Sequence, residues 1–346
     1  MPLRATLNDN DIQSFNYDYE GWASLKETYK NQSLIMPCCQ MKAVPKTSKL
    51  GTQYFAHARR GDCDSNPETK EHIHLKFLIA KVAKQCGWDV ITEHEGYTPD
   101  GEKWIADVYC QKGSSKLAFE VQWSHQTIDE YLRRTEKYTK SGVRCAWLFR
   151  LKGKREYYRS DFVESYLLPY FSFRHKDDEF VVTRYDTPIQ DFVIGMLSGH
   201  LAWLPKKNDF LNTRICYTEH DCWRCRKPIN IITSLDIYTS QDNFIETLPF
   251  TNDLVAKWIA NHISERILWK CGIGTVKMRY SKTVGGEYMS NGCVHCDALQ
   301  GNFFVTHELE YDNDESFINY QWSYSPDELP INAGWFFRGS RGRSFY

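Results

Sequence analysis

The stretch KWIADVYCQKGSSKLAFEVQW (103–123) decides how this chain is read. Two largely apolar runs, 103–110 and 116–123, flank Lys112-Gly113-Ser114-Ser115, so they read as strands paired in an antiparallel hairpin. Asp107 and Glu120 sit 13 residues apart around that turn. Side chains alternate along a strand, so Glu120 and Gln122 share a face, and Asp107 is expected to join them across the hairpin. Their neighbours are Ile105, Ala106, Val108, Leu117, Ala118, Phe119 and Val121. A carboxylate among such residues is costly to bury unless it is paired or binds a metal. Two acids at one point of a sheet suit a hard cation such as Mg²⁺, and the chemistry that follows is phosphodiester hydrolysis. Structural salt bridges at a sheet edge are the competing reading.

Working outward, ETKEHIHLKFLIAKVAKQC (68–86) places Ile73, Leu75, Phe77, Leu78, Ile79, Val82 and Ala83 at helical spacing, and Gly87 ends the helix. Glu68, Glu71 and His72 near its start offer a third acid, with Lys76 one turn beyond. WDVITEHE (88–95) reads as a strand, TIDEYLRRTEKYTKSG (127–142) as a helix stopped by Gly142, and VRCAWLFR (143–150) as a buried strand. The order α-β-β-β-α-β predicts an α/β core with a mixed sheet flanked by helices. The expected division is a Cys/His module at 1–65, a core at 66–152, a helical linker region at 153–205 and a C-terminal domain at 206–346. Within the linker, helices are expected at 161–171 and 188–202, with a strand at 180–185.

Composition narrows the setting. The 346 residues carry 43 Lys and Arg against 44 Asp and Glu, so any nucleic-acid contact must come from a local patch. One such patch is 126–159, with 10 basic against 4 acidic residues; Arg133, Arg134 and Lys137, with Tyr138 among them, are the expected phosphate-binding set. No leader-like segment or long apolar run is evident, which points to a cytoplasmic protein with no membrane contact. In that compartment the 12 cysteines read as metal ligands or core residues. CWRC (222–225) and CVHC (293–296) form two knuckles whose Cys222, Cys225, Cys293 and Cys296 can close a structural Zn²⁺ site, a zinc-ribbon domain with a long insertion.

PETKEHIHLK (67–76), WIADV (104–108), AFEVQWS (118–124) and RRTEKY (133–138) resemble the CoiA-like competence proteins, a branch of the PD-(D/E)XK nuclease superfamily. The resemblance implies a restriction-endonuclease-like fold, Mg²⁺ or Mn²⁺ dependence and DNA as substrate. Its site residues carry over to Glu68 or Glu71, Asp107, Glu120 and Gln122. One departure stands out: Gln122 occupies the superfamily's usual lysine position and lacks the charge to stabilise hydroxide. Lys76 and Lys116 are the substitutes within the matched region. YFAHARRGDC (54–63) also resembles the family's Phe-Ala-His segment, which there accompanies a small zinc module. Here Met36 replaces one cysteine, leaving Cys39, His57 and Cys63, with Cys38 beside them, as zinc ligands or as buried thiols and a core-edge histidine.

The expected function is a metal-dependent deoxyribonuclease acting in DNA processing, recombination, competence or defence against foreign DNA. The alternative is a catalytically weak DNA-binding or scaffold protein that keeps the fold and zinc sites.

Overall fold

The computed structural model describes residues 2–59, 63, 68–124, 126–151, 165–176, 179–303, 305 and 316–338. The C-terminal residues 339–346 and the charged stretch 152–159 therefore lie outside the described residues. The chain divides into two compact units, Met1–Ala202 with Trp335–Arg341, and Trp203–Gly334 with Gly342–Tyr346.

The first unit opens with β1 (Arg4–Leu7), β2 (Asn10–Gln13), α1 (Tyr19–Thr28) and β3 (Leu34–Ile35), then a hairpin of β4 (Ala43–Thr47) and β5 (Gln53–His57). Ala5, Trp22, Leu25, Leu34, Met36, Ala43 and Phe55 make its own small core. Gln13 ties this module to the next by accepting hydrogen bonds from the Thr92 backbone N–H (3.2 Å) and hydroxyl (2.8 Å).

The elements that follow are α2 (Lys70–Gln85), β6 (Asp89–Tyr97), β7 (Lys103–Lys112), β8 (Ser115–Gln122), α3 (Ile128–Lys140) and β9 (Arg144–Arg150). The order α-β-β-β-α-β is the expected one. Thr69 caps α2 by accepting from the His72 N–H at 3.2 Å, and Thr127 caps α3 from the Glu130 N–H at 3.3 Å. Gly87 and Gly142, with φ of 76° and 68°, end these helices in the left-handed conformation that glycine adopts without penalty. β6, β7 and β8 pair antiparallel, whereas β8 and β9 run parallel, with α3 as the crossover that a parallel pair requires.

The sheet does not end there. β10 (Tyr170–Lys176) adds parallel to β9, and β11 (Glu179–Val182) and β12 (Thr187–Pro188) complete seven strands in the order β12-β11-β10-β9-β8-β7-β6. Of the helix expected at 161–171, residues 161–164 lie outside the described residues, 165–168 form a turn, and 170–171 already belong to β10. Buried Phe171 and Phe173 alternate with Ser172, a strand pattern that a short apolar run does not separate from a helical one. α4 (Ile189–Leu197) occupies the second expected helix, and β13 (Leu201–Leu204) follows. Helices flank the sheet, α2 packing on β6, β7 and β8, and α3 on β9 and β7. Trp104, Ala106, Tyr109, Ala118, Tyr131, Tyr138, Cys145 and Trp147 fill the core beneath α3.

The second unit is built on an antiparallel sheet of β14 (Phe210–Asp221), β15 (Pro228–Thr239), β16 (Phe244–Pro249) and β20 (Ser316–Ser323), ordered β16-β15-β14-β20. The helical pattern at 252–268 resolves into α5 (Asp253–His262) and α6 (Glu265–Lys270). β17 (Lys277–Ser281), β18 (Gly286–Gly292) and β19 (Leu299–Gln300) form a second small sheet. Among the described residues, no helix is long and apolar enough to cross a membrane.

Candidate active site

Asp107 and Glu120 occupy adjacent strands, but their side chains take different partners. The ladder between β6 and β7 runs Thr92↔Val108 and then His94↔Ala106, omitting the Glu93–Asp107 rung. Glu93 has φ 48°, a conformation costing a non-glycine residue on the order of 1–2 kcal/mol. At this irregularity strict alternation fails, and Asp107 turns to α2. Its Oδ2 accepts from the Val121 N–H at 2.8 Å, and its Oδ1 lies 3.4 Å from Lys76 Nζ. Glu120 obeys alternation with Ala118 and turns to α3, where Arg134 donates at 2.7 Å and the Tyr138 hydroxyl donates to the other oxygen.

The donors that Asp107 meets come from the first turn of α2 and from Glu68, the residue before its cap. Glu68, His72 and Asp107 bring one ligand atom each within 4.8 Å of one another. His72 Nδ1 lies 3.5 Å from Glu68 Oε1, and His72 Nε2 lies 4.0 Å from Asp107 Oδ2. Glu71, a residue exposed enough to meet solvent, stays outside this group; its carboxyl is held low first by backbone N–H donation at the helix start. Of the two acids offered by the α2 start, Glu68 is therefore the one brought to Asp107. Trp123 stacks on the His72 ring at 5.9 Å and 13°, and the Arg150 guanidinium lies 4.4 Å from the Trp123 ring.

Lys76 is 1% exposed on the same helix face. Its ammonium donates to Glu93 Oε1 at 2.6 Å and Glu68 Oε1 at 2.9 Å, with Asp107 beside it. Burial alone would push this amine down, but Glu93, Asp107 and Glu68 together hold it well above its usual value. Asp107 is held low despite burial, because Lys76, His72 and the Val121 N–H outweigh desolvation. Burial lowers His72, which keeps the imidazole neutral and able to ligate. Glu120 behaves oppositely. At 2% exposure, burial and then the nearby Asp107 charge push it up to about 8, against the pull of Arg134.

These groups fit a divalent cation. His72 Nε2 is buried and has no hydrogen-bond partner among the described residues, although it faces Asp107. An orphaned buried nitrogen beside two carboxylates is the donor set a cation completes. The imidazole tilts the preference from Mg²⁺, which favours all-oxygen shells, toward Mn²⁺ or a neighbouring transition ion. Glu120, with both oxygens taken by Arg134 and Tyr138, lies outside the cluster, and Gln122 donates to the Ser124 carbonyl.

The basic helix also sorts itself. Lys103, Trp104, Ile105, Glu130, Arg133, Arg134, Lys137 and Tyr138 line an open groove of about 440 Å³. Arg133 is exposed and forks onto Glu130 at 2.8 and 2.9 Å. Lys137 lies 3.9 Å from Glu102. Tyr138, expected to hold a nucleic-acid backbone, is 1% exposed and donates inward to Glu120 and the Ile105 carbonyl. Its seven-residue spacing from buried Tyr131 marks the inward stripe of the helix.

Two further clusters could hold a metal such as zinc. Cys222, Cys225, Cys293 and Cys296 converge from the β14–β15 and β18–β19 connections, with Sγ separations of 3.8 Å for Cys222–Cys296 and 3.6 Å for Cys225–Cys293. Zn–S bonds of about 2.3 Å in a tetrahedron imply sulfur separations of about 3.8 Å. In the first unit Cys38, Cys39, His57 and Cys63 converge likewise: Cys39 Sγ lies 3.2 Å from His57 Nε2, and Cys38 Sγ lies 3.7 Å from Cys63 Sγ. Adjacent Cys38 and Cys39 both join, and none of the four is fully buried, which disfavours a reading as core thiols. Glu93 is the one residue of the acidic site that sequence patterning missed, because a regular strand gives no sign of its left-handed turn.

Residues 68–222 match the family model described as "Competence protein CoiA, nuclease-like domain". No curated protein matches the chain. Three solved chains match; one, titled "Crystal Structure of Protein of Unknown Function AF1548", is 10% identical, with 38% of this chain and 68% of that chain covered at a TM-score of 0.23. The family match begins at Glu68 and takes in α2, the hairpin, α3 and the strands that extend the sheet. The segment holding the Asp107 centre thus matches the nuclease-like domain of the CoiA competence proteins.

Proposed function

We propose that the protein is a metal-dependent DNA nuclease whose cation site is Glu68, His72 and Asp107. The observation that carries this reading is the convergence of those three donors, with a buried and unsatisfied His72 Nε2, inside a CoiA nuclease-like segment. The proposed core is restriction-endonuclease-like, with zinc held structurally by the Cys222/Cys225/Cys293/Cys296 set and by Cys38, Cys39, His57 and Cys63. DNA processing, recombination, competence or defence against foreign DNA is the setting the family supports.

A divalent cation bound there would neutralise the phosphodiester and lower the pKa of an attacking water. The chain's own residues prepare for this. Asp107 stays ionised, His72 stays neutral with Nε2 turned toward Asp107, and the Trp123–Arg150 stack holds its ring plane. Lys76 supplies a fixed positive charge beside Asp107, the role for which Gln122 has no charge. Arg133, Arg134, Lys137 and Lys103 along the groove offer the phosphate contacts that set the register of the duplex or single strand.

A second reading, a DNA-binding protein with weak catalysis, draws on one observation: Glu120 is engaged by Arg134 and Tyr138 and carries a proton near neutrality. A cleavage assay with Mg²⁺ or Mn²⁺ on single-stranded, duplex and branched DNA separates the two. Cleavage by the wild type that is lost in Asp107→Ala supports the nuclease. Equal inactivity of both proteins, with DNA binding retained, supports the second reading.

A further inference from the structure

Glu93 stands out for its geometry. It is a non-glycine residue at φ 48° in the middle of a nine-residue strand, at the one omitted rung between β6 and β7, opposite Asp107. Its Oε1 accepts from Lys76 Nζ at 2.6 Å, the shortest of that ammonium's three contacts. Its Oε2 is buried with no hydrogen-bond partner among the described residues. A left-handed residue in a strand re-aims its side chain, and here the result is a carboxylate on the flank of the Glu68/His72/Asp107 cluster that does not itself enter the cluster.

Resting on the cation site proposed above, we propose that Glu93 is a positioning residue that anchors Lys76, so that the ammonium does not compete with the metal for Asp107 and Glu68. An ammonium has three donors and no acceptor. Lys76 divides them among Glu93, Glu68 and Asp107, and the longest contact, 3.4 Å, is the one to Asp107. With Glu93 in place the ammonium is drawn away from Asp107, whose oxygens stay available to a cation. The charges agree with this assignment: with each carboxylate ionised against the Lys76 ammonium, three carboxylates and one ammonium leave a net charge of −2, the complement of a divalent ion. Removing the Glu93 charge lowers this to −1 and frees Lys76 to close on Asp107. Both changes oppose the metal.

The test is Mn²⁺ binding to the full-length chain by isothermal titration calorimetry, with Asp107→Ala defining the signal of this site. Glu93→Gln is expected to weaken Mn²⁺ binding about 10- to 100-fold, the range for partners that orient metal ligands. Lys76→Met combined with Glu93→Gln removes competitor and anchor together and is expected to bind within about 3-fold of the wild type. The double variant removes the ammonium together with its closest partner and keeps the two ligand carboxylates Glu68 and Asp107, so it gives a second readout if Glu93→Gln alone does not fold. Wild-type affinity in Glu93→Gln overturns the proposal, as does a double variant that binds 10-fold or more worse than the wild type. A wild type whose Mn²⁺ signal does not depend on Asp107 overturns the cation site itself, a result distinct from either.

Discussion

Glu120→Gln should change how stability depends on pH. The carboxyl is 2% exposed, and burial followed by the Asp107 charge raises it from 4.5 to about 8. A carboxyl raised in the folded state holds its proton more tightly there than in the unfolded chain. The unfolded state then binds fewer protons, so stability falls as pH rises between the two values. At about 1.4 kcal/mol per pH unit the full interval corresponds to roughly 5 kcal/mol, of which roughly 3 kcal/mol is reached by pH 7. Glutamine keeps one oxygen to accept from Arg134 and turns its NH2 to the Tyr138 hydroxyl oxygen, whose own proton goes to the Ile105 carbonyl; it does not ionise, so the variant lacks this slope. Urea unfolding in the presence of a chelator, from pH 4.5 to 8.5, reads the difference between the two proteins. The gap should widen steadily in favour of Glu120→Gln as pH rises and level off above pH 8. Parallel curves, or a gap that narrows with pH, would refute the reasoning and place an ordinary ionised carboxylate at 120.

Other perturbations have equally defined outcomes. Cys293→Ser should lower the melting temperature of the C-terminal unit and its zinc content by elemental analysis, while Mn²⁺ binding that depends on Asp107 persists. Gly96→Ala drives a methyl into the Trp104 indole, which sits in the core under α3, and should cost about 1–3 kcal/mol by thermal denaturation. Arg133→Ala, on the exposed side of α3, should leave stability within about 0.5 kcal/mol but weaken DNA binding and reduce the salt slope by about 1, measured by fluorescence anisotropy across a salt series.

Much of this was legible in the sequence, and the exceptions have physical causes. The periodic apolar face of α2, its cap at Thr69 and its stop at Gly87 are local signals, so the helix was readable to within two residues at its start. The hairpin declares itself through the turn at Gly113 and the alternating strands. β10 was not readable, because SYLLPYF carries enough apolar residues to satisfy a helical or an extended period. The direction of Asp107 was hidden for a different reason. Alternation places it with Glu120, and only the left-handed Glu93 and the omitted rung turn it toward His72 and Lys76. Glu68 and His72 could be named from the resemblance and from their place at the helix start, but choosing Glu68 over Glu71 needs tertiary geometry. The C-terminal cysteines were readable from their spacing alone. In the N-terminal set the adjacency of Cys38 and Cys39 obscured that both take part.

The central claim, a divalent cation held by Glu68, His72 and Asp107, is tested most directly by a crystal structure of the protein soaked with Mn²⁺ and recorded at the Mn absorption edge. The expected result is an anomalous peak at coordination distance from Asp107, with His72 Nε2 and Glu68 completing the shell. A peak confined to the cysteine clusters, or one bridging Asp107 and a Glu120 released from Arg134 without contact to His72, would contradict it.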